Sequence, residues 1–147
     1  KFVFASHNTG FMEKYEALIN QLEINDHVFL TGQLNHTKTM PNFCKDADVV
    51  ISVPSSDSSP SSVYEAMACK TPVITSDLPW YKGKLDEDRD MVVVPVRNVE
   101  KLAQAIIQVL SGERRVDVDS AYQKVYNNIN FETENRKLER LYEKILS

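Results

Sequence analysis

One stretch constrains this chain more than any other. An apolar, β-branched run, Val49-Val50-Ile51-Ser52-Val53, leads into a loop of serine, proline and aspartate. A short apolar segment centred on Glu65-Ala66-Met67-Ala68 follows, and then a second β-branched run, Pro72-Val73-Ile74-Thr75. The first run has the character of a strand buried on both faces. The whole reads as strand, loop, helix, strand, with the loop delivering the start of a helix to the carboxyl end of a strand. The first amides of a helix have no internal acceptor, and the helix dipole favours an anion there, so such a junction can hold a phosphate. Asp57 lies in the loop and Glu65 two turns further on, inside the helix.

The flanking sequence repeats the alternation. Phe2 to Ser6 reads as a strand, and the loop His7-Asn8-Thr9-Gly10 leads into a helix with Phe11, Met12, Tyr15, Leu18, Ile19 and Leu22 on one face. A second strand is expected at His27 to Thr31, ending at Gly32. A short helix starts at Thr39-Met40-Pro41, with Phe43, Cys44 and Ala47 inward. Strands are expected at Asp48 to Val53, Pro72 to Thr75 and Met91 to Val96, with Leu78 to Asp90 as a polar connection. Asn98 caps a helix striped by Leu102, Ala103, Ile106, Ile107 and Leu110, and Ser111-Gly112 ends it. Two further amphipathic helices use Ala121, Tyr122, Val125 and Tyr126, then Leu138, Leu141, Tyr142, Ile145 and Leu146. The expectation is a single α/β domain over residues 1–147, a Rossmann-like parallel sheet with helices on both faces, binding its ligand beyond the carboxyl ends of the strands.

The length of 147 residues suits one domain, and 42% hydrophobic with 26% charged residues is ordinary for a globular chain. A net charge of −4 argues against nucleic acid as a partner. No apolar run approaches the ~20 residues that span a bilayer. Cys44 and Cys69 lack metal-ligand spacing and read as buried, reduced thiols of a cytoplasmic protein. The chain opens at Lys1, straight into a strand, and is expected to be a piece of a longer polypeptide.

The central stretch resembles the retaining glycosyltransferases of family 4 (group 1), which have the GT-B fold of two facing Rossmann-like domains. The residues that carry the resemblance are Pro54-Ser55, Asp57, Glu65-Ala66-Met67-Ala68 and Pro72-Val73-Ile74, with Val28 to Leu34, Ala47-Asp48-Val49, Val99 to Leu110 and Leu138 to Leu146 in support. It implies the C-terminal, nucleotide-sugar-binding domain. Glu65 then accepts from the ribose hydroxyls, and the backbone of Ser61, Ser62 and Val63 holds the diphosphate. Asp57 meets the donor sugar. Gly32 lets the nucleotide approach, and the main chain at Leu34 reads the base. The family has two glutamates spaced as Asp57 and Glu65 are here, so this chain's first acid is one methylene shorter. Lys70 stands where the family has glycine.

The resemblance further implies a UDP-, GDP- or ADP-linked sugar as substrate and no cofactor or metal. The acceptor, a glycan, a lipid-linked or a small molecule, would be bound by an absent N-terminal domain, through which the whole enzyme associates peripherally with membranes. The family's first strand, and the Arg and Lys that balance the leaving diphosphate, precede Lys1 in this pattern, so the fragment is expected to be inactive, with a gap in the middle of its sheet. Taken singly, these residues have plainer readings. A serine-rich loop is more often a surface connection, and a helical glutamate is more often solvated. Asp46-Ala47-Asp48 reads as structural, Asp86-Glu87-Asp88-Arg89-Asp90 as a solvated loop, and His7, His27 and His36 are scattered. A nucleotide-sugar epimerase of the same fold and a non-catalytic flavodoxin-like module are the alternatives.

Overall fold

The structure is a computed structural model that describes residues 1–5, 12–32, 34–35 and 38–146. The loop His7-Asn8-Thr9-Gly10, Phe11 and His36 therefore lie outside the described residues. The chain divides into two compact units, Lys1–Met40 and Pro41–Ser147. Among the described residues the strands are all parallel and form two sheets, flanked by helices.

The first unit is a strand–helix–strand crossover. Strands β1 (Phe2–Ala5) and β2 (Val28–Thr31) pair in parallel from Phe2 opposite Val28 to Ala5 opposite Thr31, with helix α1 (Met12–Gln21) between them in sequence. The Phe4 and Tyr15 rings meet at 4.7 Å, which seats α1 on the sheet. Of the expected α1 stripe, Tyr15 thus meets the sheet, yet no described residue of this unit is buried, and Phe2, Val3, Phe4, Leu18, Leu22 and Phe29 are exposed. Two strands and one helix enclose too little volume for a dry interior.

In the second unit, helix α2 (Met40–Asp46) begins at the junction and precedes β3 (Val50–Ser52). Helix α3 (Ser61–Ala68) connects β3 to β4 (Val73–Ser76), and β5 (Val92–Val94) completes a sheet of order β3-β4-β5. Helices α4 (Val99–Leu110), α5 (Val118–Asn128) and α6 (Phe131–Leu146) follow. The strand expected to be buried on both faces, β3, is only half-buried. Among the described strands the fully buried one is β4, which alone of them has a ladder on each side.

The core has two layers. Ile74, Val92, Val94 and Ala105 pack with Leu102, Ile106 and Val109 under α4. Val63, Ala66 and Met67 of α3, with Ala121 and Val125 of α5, form the other. Asn98 caps α4 as expected, its Oδ1 accepting from the Lys101 amide at 2.9 Å, a contact worth about 1 kcal/mol. Gly112, with φ +75°, carries the chain out of that helix. The expected stripe of α6 forms, but none of its residues is buried.

Two expectations fail between β4 and β5. The connection from Leu78 to Asp90 is not simply polar: Trp80, Tyr81 and Leu85 are buried, the first two on a 3₁₀ turn, Pro79–Tyr81. The acidic run is not simply solvated either. Asp90 is completely buried and accepts from the Asp86 amide (2.7 Å), Ser120 Oγ (2.7 Å) and Lys124 Nζ (2.5 Å). A buried carboxylate is tolerable only when its oxygens are answered in this way, and here two of the three partners, Ser120 and Lys124, come from α5, far along the sequence.

Candidate functional site

The site is built from the β3–α3 junction. Pro54 is held to the end of β4, its carbonyl accepting from Ser76 Oγ at 2.5 Å. Asp57 is exposed, and its Oδ1 accepts from the Ser59 amide at 2.8 Å, a turn that folds the loop back on itself. Pro60 is buried and extended at the N-cap, and no side chain caps the helix. The amide of Val63 donates to the Pro60 carbonyl at 3.1 Å. Helical geometry leaves the amides of Ser61 and Ser62 without an intrahelical acceptor, so these two, and not Val63, are the open donors at the helix start.

Ser62 has a second role that the sequence does not show. Its Oγ lies 3.0 Å from Ser52 Oγ, joining the helix start to the end of β3. Ser61 remains exposed. Glu65, one turn on, is half-buried, with its Oε2 out of contact with solvent. Its influence reaches α2: burial first, then the Cys69 thiol, then the Glu65 carboxylate push the Cys44 thiol up to about 11. Both cysteines are free. Cys44 is buried as expected, whereas Cys69 is only partly so, because it caps the end of α3.

Lys70 has φ +59°, a left-handed conformation that glycine adopts without the steric cost of a Cβ. Its ammonium pairs with Asp119 at 2.6 Å and sits 5.1 Å from the centre of the Tyr122 ring, on α5. Gly32, after β2, is exposed, and a Cβ there would meet nothing within 4 Å, so the chain's own packing does not require glycine. Leu34 is half-buried. These two belong to the first unit, while Asp57, Ser61, Ser62, Val63 and Glu65 belong to the second.

An aromatic row next to α3 escaped the sequence reading. Tyr64 meets Trp80 edge-on at 5.6 Å, and Trp80 meets Tyr81 likewise at 5.5 Å. Tyr81 Oη is 3.0 Å from Asp77 Oδ1, just past β4, and 2.9 Å from Glu87 Oε2. Burial, then these two carboxylates, hold the Tyr81 phenol well above its ordinary range, so it stays protonated. The signal was the Pro79-Trp80-Tyr81 cluster, which is too apolar for a solvated connection.

Asp46 ends α2 and Asp48 precedes β3, both exposed, so that pair is split between two elements. Among the described residues, no group of three His, Cys, Asp or Glu is placed to hold a metal ion, and no helix is long and apolar enough to cross a membrane.

A helix opening at the carboxyl end of a parallel strand, with two open amides and an acid one turn in, defines a Rossmann-like α/β protein with an anion-receptive junction. The chain belongs to the group 1 glycosyl transferases, whose family pattern matches residues 8–128. Its fold is that of the C-terminal half of GT-B glycosyltransferases. A sucrose-phosphate synthase from Thermosynechococcus elongatus superposes with a TM-score of 0.87 at 21% identity, over 98% of this chain and 38% of that one. A glycosyltransferase from Rickettsia africae gives 0.83 at 21% identity, over 100% of this chain and 41% of that one. HepE of Anabaena, solved in complex with UDP-glucose, gives 0.84 at 13% identity, over 97% of this chain and 40% of that one. The chain thus spans about two fifths of the solved proteins it resembles. No curated protein sequence matches it.

Proposed function

We propose that this chain is the donor-binding domain of a retaining, family 4 glycosyltransferase, a single Rossmann-like module of a two-domain enzyme. The reading rests on the β3–α3 junction, where the open amides of Ser61 and Ser62 lie one turn before the half-buried Glu65. The donor diphosphate lies at the helix start, where the dipole and the two amides favour negative charge. Glu65 accepts from the ribose hydroxyls, which keeps its own charge away from the phosphates. Asp57 meets the transferred sugar, Gly32 gives the nucleotide room, and the backbone at Leu34 meets the base. As the glycosidic bond breaks, charge grows on the diphosphate. Stabilising it there more than in the ground state lowers the barrier. The cations that complete this stabilisation, and the acceptor site, lie in parts of the enzyme outside this chain, so the isolated piece transfers no sugar. Glycan, lipid-linked and small acceptors all fit this scheme, as does a cytoplasmic enzyme docked peripherally on a membrane.

UDP is the first nucleotide to test, since HepE was solved with UDP and UDP-glucose. Titrating UDP, GDP and ADP into the full-length enzyme by calorimetry should reveal one preferred nucleotide. Glu65→Ala should weaken it by about 10- to 100-fold, the loss of hydrogen bonds to a charged acceptor. Failure of all three to bind the intact enzyme would overturn the proposal.

A further inference from the structure

Cys44 and Cys69 are far apart in sequence and play no part in the proposed chemistry, yet the fold brings them to one place. Cys69 Sγ donates to the Pro41 carbonyl at 3.6 Å. Pro41 and Cys44 are one turn apart on α2, and a helical side chain leans back over the turn before it, so the Cys44 side chain is directed to the same spot. A second contact fixes the pairing: Thr71 Oγ1 donates to the Cys44 carbonyl at 2.7 Å. The segment after α3 is thereby fastened to α2 at two points, Cys69 to Pro41 and Thr71 to Cys44. Cys44 is almost completely buried, whereas Cys69 is partly open to solvent.

We propose that Cys44 and Cys69 are a reversible modification site, a dithiol that a hydroperoxide converts into an intramolecular disulfide between α2 and the end of α3. The order of events follows from exposure. Cys69, the less buried of the two, attacks the peroxide oxygen through its sulfur, and the O–O bond breaks to give a sulfenic acid and, from hydrogen peroxide, water. The Cys44 sulfur then attacks the Cys69 sulfur, loses its proton and expels a second water. Two thiols and one peroxide become one disulfide and two waters, and a dithiol reductant reverses the reaction. Cys44 is shielded from the first oxidant, and its suppressed thiolate makes it the slower sulfur, so it reacts second, at the neighbouring sulfenic acid. The bridge ties α2 to the helix that carries Glu65, one turn before Cys69. Its formation does not depend on what that helix binds.

The test is peroxide treatment of the full chain, followed by thiol counting and mass spectrometry of non-reduced peptides. The wild type should lose both thiols, yield a peptide pair joined through Cys44 and Cys69, and recover both thiols on reduction. Cys44→Ser should stop at a Cys69 sulfenic acid that dimedone traps, while Cys69→Ser should keep its Cys44 thiol. Survival of both wild-type thiols, over-oxidation of Cys69 without a bridge, or a bridge only between separate chains would each overturn the proposal. The wild-type result decides even if a variant folds poorly.

Discussion

Ser52 Oγ and Ser62 Oγ stand 3.0 Å apart, joining the last residue of β3 to the second residue of α3. The contact closes the loop between them and sets the direction in which the helix leaves the sheet. Because both hydroxyls are partly buried, losing one leaves the other short of a partner. Ser52→Ala should cost about 1 kcal/mol in urea unfolding, and Ser62→Ala a similar amount. In the double variant the losses should overlap, giving a coupling of about 0.5 kcal/mol or more. Strictly additive losses would show that the two hydroxyls act separately.

The junction itself was legible in the sequence, because each part has a local cause. The β-branched run gives the strand, the Pro60-Ser61 step gives the helix start, and the apolar spacing of Val63, Ala66 and Met67 gives the buried face. Asn98 and Gly112 mark the bounds of α4 for the same reason. What the sequence concealed depends on contacts between distant segments. Asp90 is an unremarkable member of an acidic run until Ser120 and Lys124 close over it. The half-burial of β3 follows from strand order, which no local pattern encodes. The Val63 amide was expected to face a ligand, but the tightened first turn of α3 directs it to Pro60.

Asp90 gives a pH prediction. Burial alone would raise its pKa, but the Asp86 amide, Lys124 and Ser120 outweigh burial and hold it below the ordinary 3.8. A carboxyl with a lowered folded pKa contributes stability that is fully present above its unfolded value and is lost as pH falls through the folded one. The protein should therefore lose this contribution below about pH 3.8. Asp90→Asn keeps the shape but leaves Lys124 only its exposed Asp86 partner at 2.6 Å, and should cost about 2 kcal/mol at neutral pH. It should also flatten the acid limb of a stability–pH curve. An unchanged acid limb would show that other carboxyls control it.

Lys70 poses a contest between backbone and side chain. A left-handed φ costs a residue with a Cβ about 1 kcal/mol relative to glycine. Against this stand an exposed ion pair to Asp119, which solvent screens, and the contact with the Tyr122 ring. Lys70→Ala loses the contacts and keeps the strain, whereas Lys70→Gly loses both. Lys70→Gly should thus melt close to the wild type, and above Lys70→Ala by about 1 kcal/mol of stability. If the alanine variant were the more stable, strain at this position would not be the governing quantity.

Asp57 separates the two halves of the proposed donor. Its carboxylate turns the loop through Ser59 and is otherwise exposed, so its remaining acceptor positions face outward. In the proposed complex it touches the sugar and not the nucleotide. Asp57→Asn retains an oxygen for the Ser59 amide and so preserves the turn, but it loses the charge that strengthens bonds to sugar hydroxyls. In the full-length enzyme it should weaken the nucleotide-sugar about 10-fold and cut turnover further, while free nucleotide binds as in the wild type. Calorimetry with both ligands checks this directly. An equal loss for nucleotide and nucleotide-sugar would mean that Asp57 shapes the diphosphate loop instead of contacting the sugar. No loss for either would remove it from the site.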